Sequence, residues 1–264
     1  MRWGNYQFIE GDLSDQVLTL TLNRPEKLNC VNRALHNDLS RVFRDASTDT
    51  GVEIIVLTGA GRAFSAGGDL EFLKVCCEDW SVFDEVAYEG KQIVYSMLDC
   101  EKPIIGKING HAAGLGATLA LFCDITFVAE HAKISDPHVR VGLAAGDGGA
   151  LIWPQLIGFA RAKELLMTGD AVAAPAAAAM GLINYAVPAE ELEARVAAFV
   201  ARLKGGHAAA IRGTKLSINV ALKQMAHAVM ETSTSHERLS NRSPEHRATV
   251  EAMLRKEAPL AGRQ

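Results

Sequence analysis

The sequence predicts an α/β fold on three observations. Short apolar runs rich in Val and Ile alternate with stretches of helical period before residue 204. Two of those runs pass directly into Gly-rich turns, at 59–68 and at 109–116. From residue 207 onward the strand pattern stops and the chain reads as helix.

Residues 16–22 alternate and are β-branched-rich, so they read as a strand, followed by a turn over 23–29. Asn32 is suited to cap a helix whose face is marked by Leu35, Leu39, Val42 and Phe43 and which ends near 49–51. A strand at 53–58 leads into the first Gly-rich turn. Residues 69–74 open a further helix and 76–80 read as loop. Phe83, Val86, Ala87, Gly90, Ile93, Val94 and Met97 keep helical spacing up to Cys100. A strand at 103–108, the second turn and a helix over 117–123 follow. Strands at 124–129 and 132–135 precede 136–149, a polar, Gly-rich stretch of the kind that lines sites. Helices at 150–156 and 160–167 are parted at Gly158, and 174–180 carries Pro175 near its start and Gly181 past its end. A short strand at 183–187 and a helix at 190–203 complete a core of residues 1–203. Gly205 and Gly206 break the chain, and 204–264 forms a helical layer whose last helix starts at Ser243, Pro244 and Glu245.

The bulk numbers exclude several functions. The net charge is −4 and no basic run is present, so there is no electrostatic pull toward nucleic acid. The five cysteines have no metal or redox spacing and no apolar leader precedes them, which points to reduced thiols in a cytoplasm. No apolar run is long enough to span a membrane. Zinc, haem and nicotinamide motifs are lacking, and Gly114-Leu115-Gly116 is not a dinucleotide fingerprint in this setting.

The two turns carry the chemistry. A helix start holds N–H groups without partners and partial positive charge, so it can stabilise an oxygen that gains charge during a reaction. Two such turns make a two-pronged oxyanion hole. The pieces that surround them occur in a familiar order: Leu-Asn-Arg-Pro-Glu-Lys-Leu-Asn at 22–29, Phe-Ser-Ala-Gly-Gly-Asp at 64–69, Lys-Pro-Ile-Ile-Gly-Lys-Ile-Asn-Gly at 102–110, Ala-Gly-Leu-Gly at 113–116, Cys-Asp-Ile at 123–125 and Gly-Leu-Ile-Asn at 181–184. Together they resemble the crotonase (enoyl-CoA hydratase/isomerase) superfamily over nearly the whole chain.

That resemblance implies a crotonase-like spiral of repeated ββα units with a C-terminal helical region that packs trimers, alone or as dimers of trimers. It implies an acyl-CoA thioester as substrate, with coenzyme A entering as part of the ester and no permanently bound cofactor. The oxyanion donors would be the N–H groups of Gly68 and Leu115, with Gly114 or Gly116 as the alternatives one residue away. Leu28, Ala66, Asp69 and Leu70 match the positions lining the coenzyme A channel, and Met253 and Lys256 match a pair that meets the nucleotide from a neighbouring subunit. For Asp69, local hydrogen bonds that hold the loop are an equal alternative. Residues 74–89, with two cysteines, Trp80 and Phe83, would form part of the acyl pocket.

The sequence departs from the resemblance at the acid–base pair. Thr118 and His138 stand where hydratases carry two glutamates, and delivering water across a double bond needs one carboxylate as base and one as acid. Asp147 is the remaining candidate for general base or nucleophile, with a helix N-cap as its alternative role. His138 can shuttle a proton near neutral pH. His111 sits in a slot that more often packs than reacts, and Ser65 has no Ser-His-Asp setting. Isomerisation, thioester hydrolysis or carbon–carbon cleavage suits one aspartate better than hydration does. A CoA-ester-binding protein without turnover is the other reading.

Overall fold

In the computed structural model, which describes Trp3 and residues 5–256, hydrogen bonding builds two sheets. The larger begins with an antiparallel hairpin of β1 (Ile9–Ser14) and β2 (Val17–Leu22). It continues in parallel through β3 (Ile54–Gly59), β4 (Ile104–Ile108), β6 (Ile125–Ala129) and β9 (Tyr185–Val187). The smaller joins β5 (Ala112–Ala113), β7 (Lys133–Ser135) and β8 (Val172–Ala173). Parallel bridges pair Val31 with Gly68 and Ser65 with Ala112, so both Gly-rich turns are tied side by side.

The run at 54–57 is continuously apolar because the parallel sheet is covered on both faces. Ile55 and Leu57 enter the main core, beside Leu18, Leu20, Phe43, Ile93 and Trp153. Ile54 and Val56 face the other way, onto Leu192, Val196 and Val200 of α7 (Leu192–Lys204).

Helix α1 (Arg33–Thr48) starts as expected, with the Asn32 side chain accepting the Leu35 N–H at 2.9 Å. Helix α2 (Leu70–Glu78) runs through the stretch expected to be loop. Only Asp79 separates it from α3 (Trp80–Asp99), because Cys76 and Cys77 behave as small buried apolar groups and Asp79 caps the Ser81 N–H at 2.9 Å. Helix α4 (Leu115–Leu121) begins two residues earlier than its apolar run suggests. Helix α5 (Gly149–Thr168) is broken at Gly158, where φ is 78° and no other residue type sits easily. Helix α6 is Ala174–Ala179. Strand β1 was not legible, since Glu10, Gly11 and Asp12 interrupt its alternation at the sheet edge.

The C-terminal layer is α8 (Ala208–Asn241) and α9 (Pro244–Leu254), with Ser243 capping the latter. Ala226 and Met230 of α8 belong to the main core. Lys215 anchors the same helix: its ammonium lies 2.7 Å from Asp124 Oδ2 and donates to Lys102 O at 2.8 Å. The Ile104 N–H donates to the same Asp124 oxygen at 2.7 Å. Residues 204–256 therefore share the core of the preceding residues and hang their longest helix across it. Among the described residues, no helix is long and apolar enough to cross a membrane.

Candidate active site

The site forms where the two turns meet. Asn29 sets the first: its Oδ1 accepts the Arg24 N–H at 2.8 Å and its Nδ2 donates to Ala60 O and Ala63 O, both at 2.9 Å. Gly67, at φ +86°, lies so close to the second turn that a Cβ there would come 2.8 Å from Ala113 O. Around this contact several N–H groups are used. Gly67 donates to Ser65 Oγ, Asp69 to Val31 O, Ala113 to Ser65 O and Gly114 to Ser135 O. Those of Gly68 and Leu115 have no acceptor among the described residues. Both residues line one cavity of about 360 Å³. Of the alternatives, Gly114 is occupied by its bond to Ser135 and Gly116 does not line the cavity.

The same cavity is walled by Asp147, His138 and Glu237. Thr118, on α4 three residues past Leu115, donates its hydroxyl to Asp147 Oδ1 at 3.1 Å. His138 lies in a single 3-10 turn, His138–Val141, its Nδ1 hydrogen-bonded to buried Asp136 and its Nε2 3.5 Å from Asp147 Oδ2. Gly148 holds the cap position ahead of α5, and the Asp147 carboxylate meets Thr118 and His138 as well as the N–H of Gly149, the first residue of α5.

Burial works against charge on His138, but Asp136 and Asp147 outweigh it and hold the ring well above its ordinary value, as an imidazolium at neutral pH. Asp147 is raised: burial acts most strongly, His138 opposes it, and Asp136 adds to it. Glu237 is pushed up to about 8 by burial, with Asp147 and Asp136 adding and His138 and Arg238 opposing. Asp136, His138 and Asp147 each bring one ligand-type atom within 4.8 Å of the others. Both His138 nitrogens face carboxylates, and Asp136 Oδ2 is buried with no hydrogen-bond partner.

Of the residues expected to contact coenzyme A, Ala66 and Leu70 line the cavity; Met253 lines it too, but from the same chain and not from a neighbouring subunit as expected. Leu28 lies outside that wall and accepts the Ala66 N–H at 3.0 Å. Asp69 is taken up structurally, paired with Arg24 at 3.1 Å and capping α2 through the Glu71 N–H. Lys256 is exposed just past α9. Within 74–89 only Cys76 and Val86 reach the cavity, joined by Phe72 and Leu73. Trp80 instead lies on the surface under Arg242, 4.7 Å from its ring centre, and Phe83 packs in a satellite core with Cys76. Ser65 is buried and donates to Asn29 O, and His111 Nδ1 accepts the Lys133 N–H. Neither stands on the cavity wall. Sequence reasoning missed Asp136 as the partner of His138, and missed Glu237 altogether. The only signal for Glu237 is a carboxylate on the buried stripe of α8, among Met230, Thr234 and Asn241.

The sequence profile of the enoyl-CoA hydratase/isomerase family matches residues 12–258. A 1,2-epoxyphenylacetyl-CoA isomerase of Escherichia coli is 33% identical over 257 residues, 96% of this chain and 97% of that protein. A crotonyl-CoA hydratase of Syntrophomonas wolfei is 31% identical over 217 residues, 81% of this chain and 82% of its own. The crystal structure of an enoyl-CoA hydratase/isomerase from Mycobacterium paratuberculosis superposes with a TM-score of 0.91 at 35% identity, covering 94% of this chain and 99% of that one.

Proposed function

The chain belongs to the enoyl-CoA hydratase/isomerase family and is an acyl-CoA-processing enzyme of that family; from that premise we propose that it enolises an acyl-CoA thioester, with Asp147 moving the proton. The observation that carries this reading is the pair of N–H groups without acceptors, Gly68 and Leu115, on the wall that also holds Asp147. A thioester oxygen between those donors becomes an oxyanion when the α-proton leaves, and one such donor typically lowers the barrier by ~3 kcal/mol. The Asp147 carboxylate takes the α-proton and returns it to another carbon, so the double bond shifts with no added water and no oxidant. A carboxylate of raised pKa is a stronger base, which favours this step. Thr118 aims Asp147, and His138, braced by Asp136, stabilises its charged form. The two-glutamate hydration route is replaced in this reading by single-base chemistry. Coenzyme A enters with the ester, along Ala66, Leu70 and Met253.

The test is mass spectrometry of crotonyl-, 3-enoyl-, aromatic and saturated acyl-CoA esters incubated with the protein in heavy water. Deuterium exchange or double-bond migration without added water is expected. It should fall by ~100-fold or more in Asp147→Asn, and Gly68→Pro, which removes one donor, should be similarly impaired. Hydration, free CoA, or binding without any change in the esters would refute the reading.

A further inference from the structure

Glu237 is the one carboxyl on the cavity wall with a use still to be found. The other acids nearby are engaged: Asp136 by His138, Asp147 by Thr118 and His138, and Glu89 by His36, Arg33 and Asn37. Glu237 is 8% exposed, faces the cavity from α8, and its carboxyl makes no hydrogen bond to another described residue. Its neighbour Arg238 turns away to Asp84 at 3.1 Å. The side of the wall made by α2, α3 and α9 is apolar: Leu70, Phe72, Leu73, Val86 and Met253.

Burial, with Asp147 and Asp136 adding to it against His138 and Arg238, pushes the Glu237 carboxyl up to about 8, so it is mostly a neutral acid at pH 7. The groups that face it are His138 on the 3-10 turn, Asp136 and Asp147 on the loop that flanks that turn, Cys76 on α2 and Arg238 on α8. Cys76 is itself pushed up to about 12 by burial and carries no charge. A protonated carboxyl has an O–H that needs an acceptor. No described residue accepts from that O–H, and an oxygen on a ligand entering the cavity along its apolar side can supply the acceptor.

We infer that Glu237 donates a hydrogen bond to an oxygen on the acyl group itself, beyond the thioester carbonyl, and so selects acyl-CoA esters bearing a keto, hydroxyl or epoxide oxygen over hydrocarbon esters of the same length. The inference rests on the acyl-CoA reading above and adds the class of acyl group. A site built around a polar contact discriminates strongly against the analogue lacking it, whereas apolar walls discriminate weakly.

The experiment is calorimetric titration of the full-length protein with matched pairs, 3-hydroxybutyryl-CoA against butyryl-CoA and 3-oxobutyryl-CoA against butyryl-CoA. The wild type is expected to bind the oxygenated member roughly tenfold or more tightly at pH 7. Glu237→Gln, whose amide still donates, keeps the preference, and Glu237→Leu loses it. In the wild type the preference for the 3-oxo ester, which can only accept, shrinks between pH 7 and 9 as the carboxyl loses its proton, whereas in Glu237→Gln it does not. Equal affinity for both members in the wild type overturns the inference. So does a preference that survives in Glu237→Leu, or a 3-oxo preference that is flat from pH 7 to 9 in the wild type. The pH arm needs no variant, so it decides the matter even where Glu237→Leu fails to fold. Failure of every ester to bind would instead strike the acyl-CoA reading beneath it.

Discussion

Thr118→Val keeps the shape of the α4 side chain and removes a single hydrogen bond, the one to Asp147 Oδ1. That bond lowers the Asp147 pKa, so its loss raises it further. A base must be deprotonated to act, and the acid limb of the kcat/KM profile should therefore move to higher pH. A hydrogen bond to a charged group is worth ~1.5 kcal/mol, which is about one pH unit. On the acid limb activity should fall roughly tenfold, and on the high-pH plateau it should stay within a few-fold of wild type. An unmoved acid limb would mean that Asp147 is not the titrating base. His138→Gln probes the other side of the same carboxylate. Removing the imidazolium takes away the opposing charge, so Asp147 becomes still harder to ionise and the limb moves the same way.

The loop over 142–149 is an element held from above. Ala144 N–H donates to Ser240 Oγ at 3.0 Å, and Ser233 Oγ donates to Gly146 O at 3.2 Å, so α8 fixes the segment that carries Asp147. A Cβ on Gly146 would meet Ser233 O at 2.7 Å, a backbone atom that cannot swing away. Gly146→Ala should cost ~1–3 kcal/mol, visible as a lower Tm. It should also lower kcat/KM by up to ~100-fold, because displacing a catalytic group by an ångström has that effect. Unchanged Tm and activity would mean that the clamp is slack. This element also shows where the sequence was legible and where it was not. The helices were readable because Leu35, Leu39, Val42 and Phe43 repeat with the helix period, and Asn32 caps them locally. The Gly68 and Leu115 turns were readable because glycine marks close approach. The link between Thr118 and Asp147 spans 29 positions and is made by tertiary packing, which no local pattern encodes. Glu237 sits in a 34-residue helix with no motif around it, and only the burial of its face distinguishes it from a solvated glutamate. Trp80 was misread because apolar character alone does not say which side of a helix faces the substrate.

At the scale of the molecule, α8 is bound to the sheet by a buried ion pair as well as by Ala226 and Met230. Lys215→Ala would strand Asp124 without its cation, and breaking one partner of such a pair typically costs 3–5 kcal/mol, roughly. Thermal unfolding should stay a single transition at lower Tm; two separated transitions would show that residues 204–264 unfold on their own. The surface makes a second demand. Phe159 and Met167 on α5 are 65% and 73% exposed, and Ile218 and Leu239 on α8 are 70% and 65% exposed. Covering each large apolar side chain contributes roughly 1.5–3 kcal/mol, so these positions favour association of like chains. Family resemblance sets the expected copy number at three, or six as paired trimers. Light scattering coupled to gel filtration should therefore give three or six times the chain mass of 28.3 kDa. Introducing charge with Phe159→Glu and Met167→Glu should weaken that assembly and yield single chains with an intact far-UV spectrum. A wild type that runs as single chains at micromolar concentration would remove the trimer and leave those four side chains without a role. An assembly indifferent to the two glutamates would place the interface on α8.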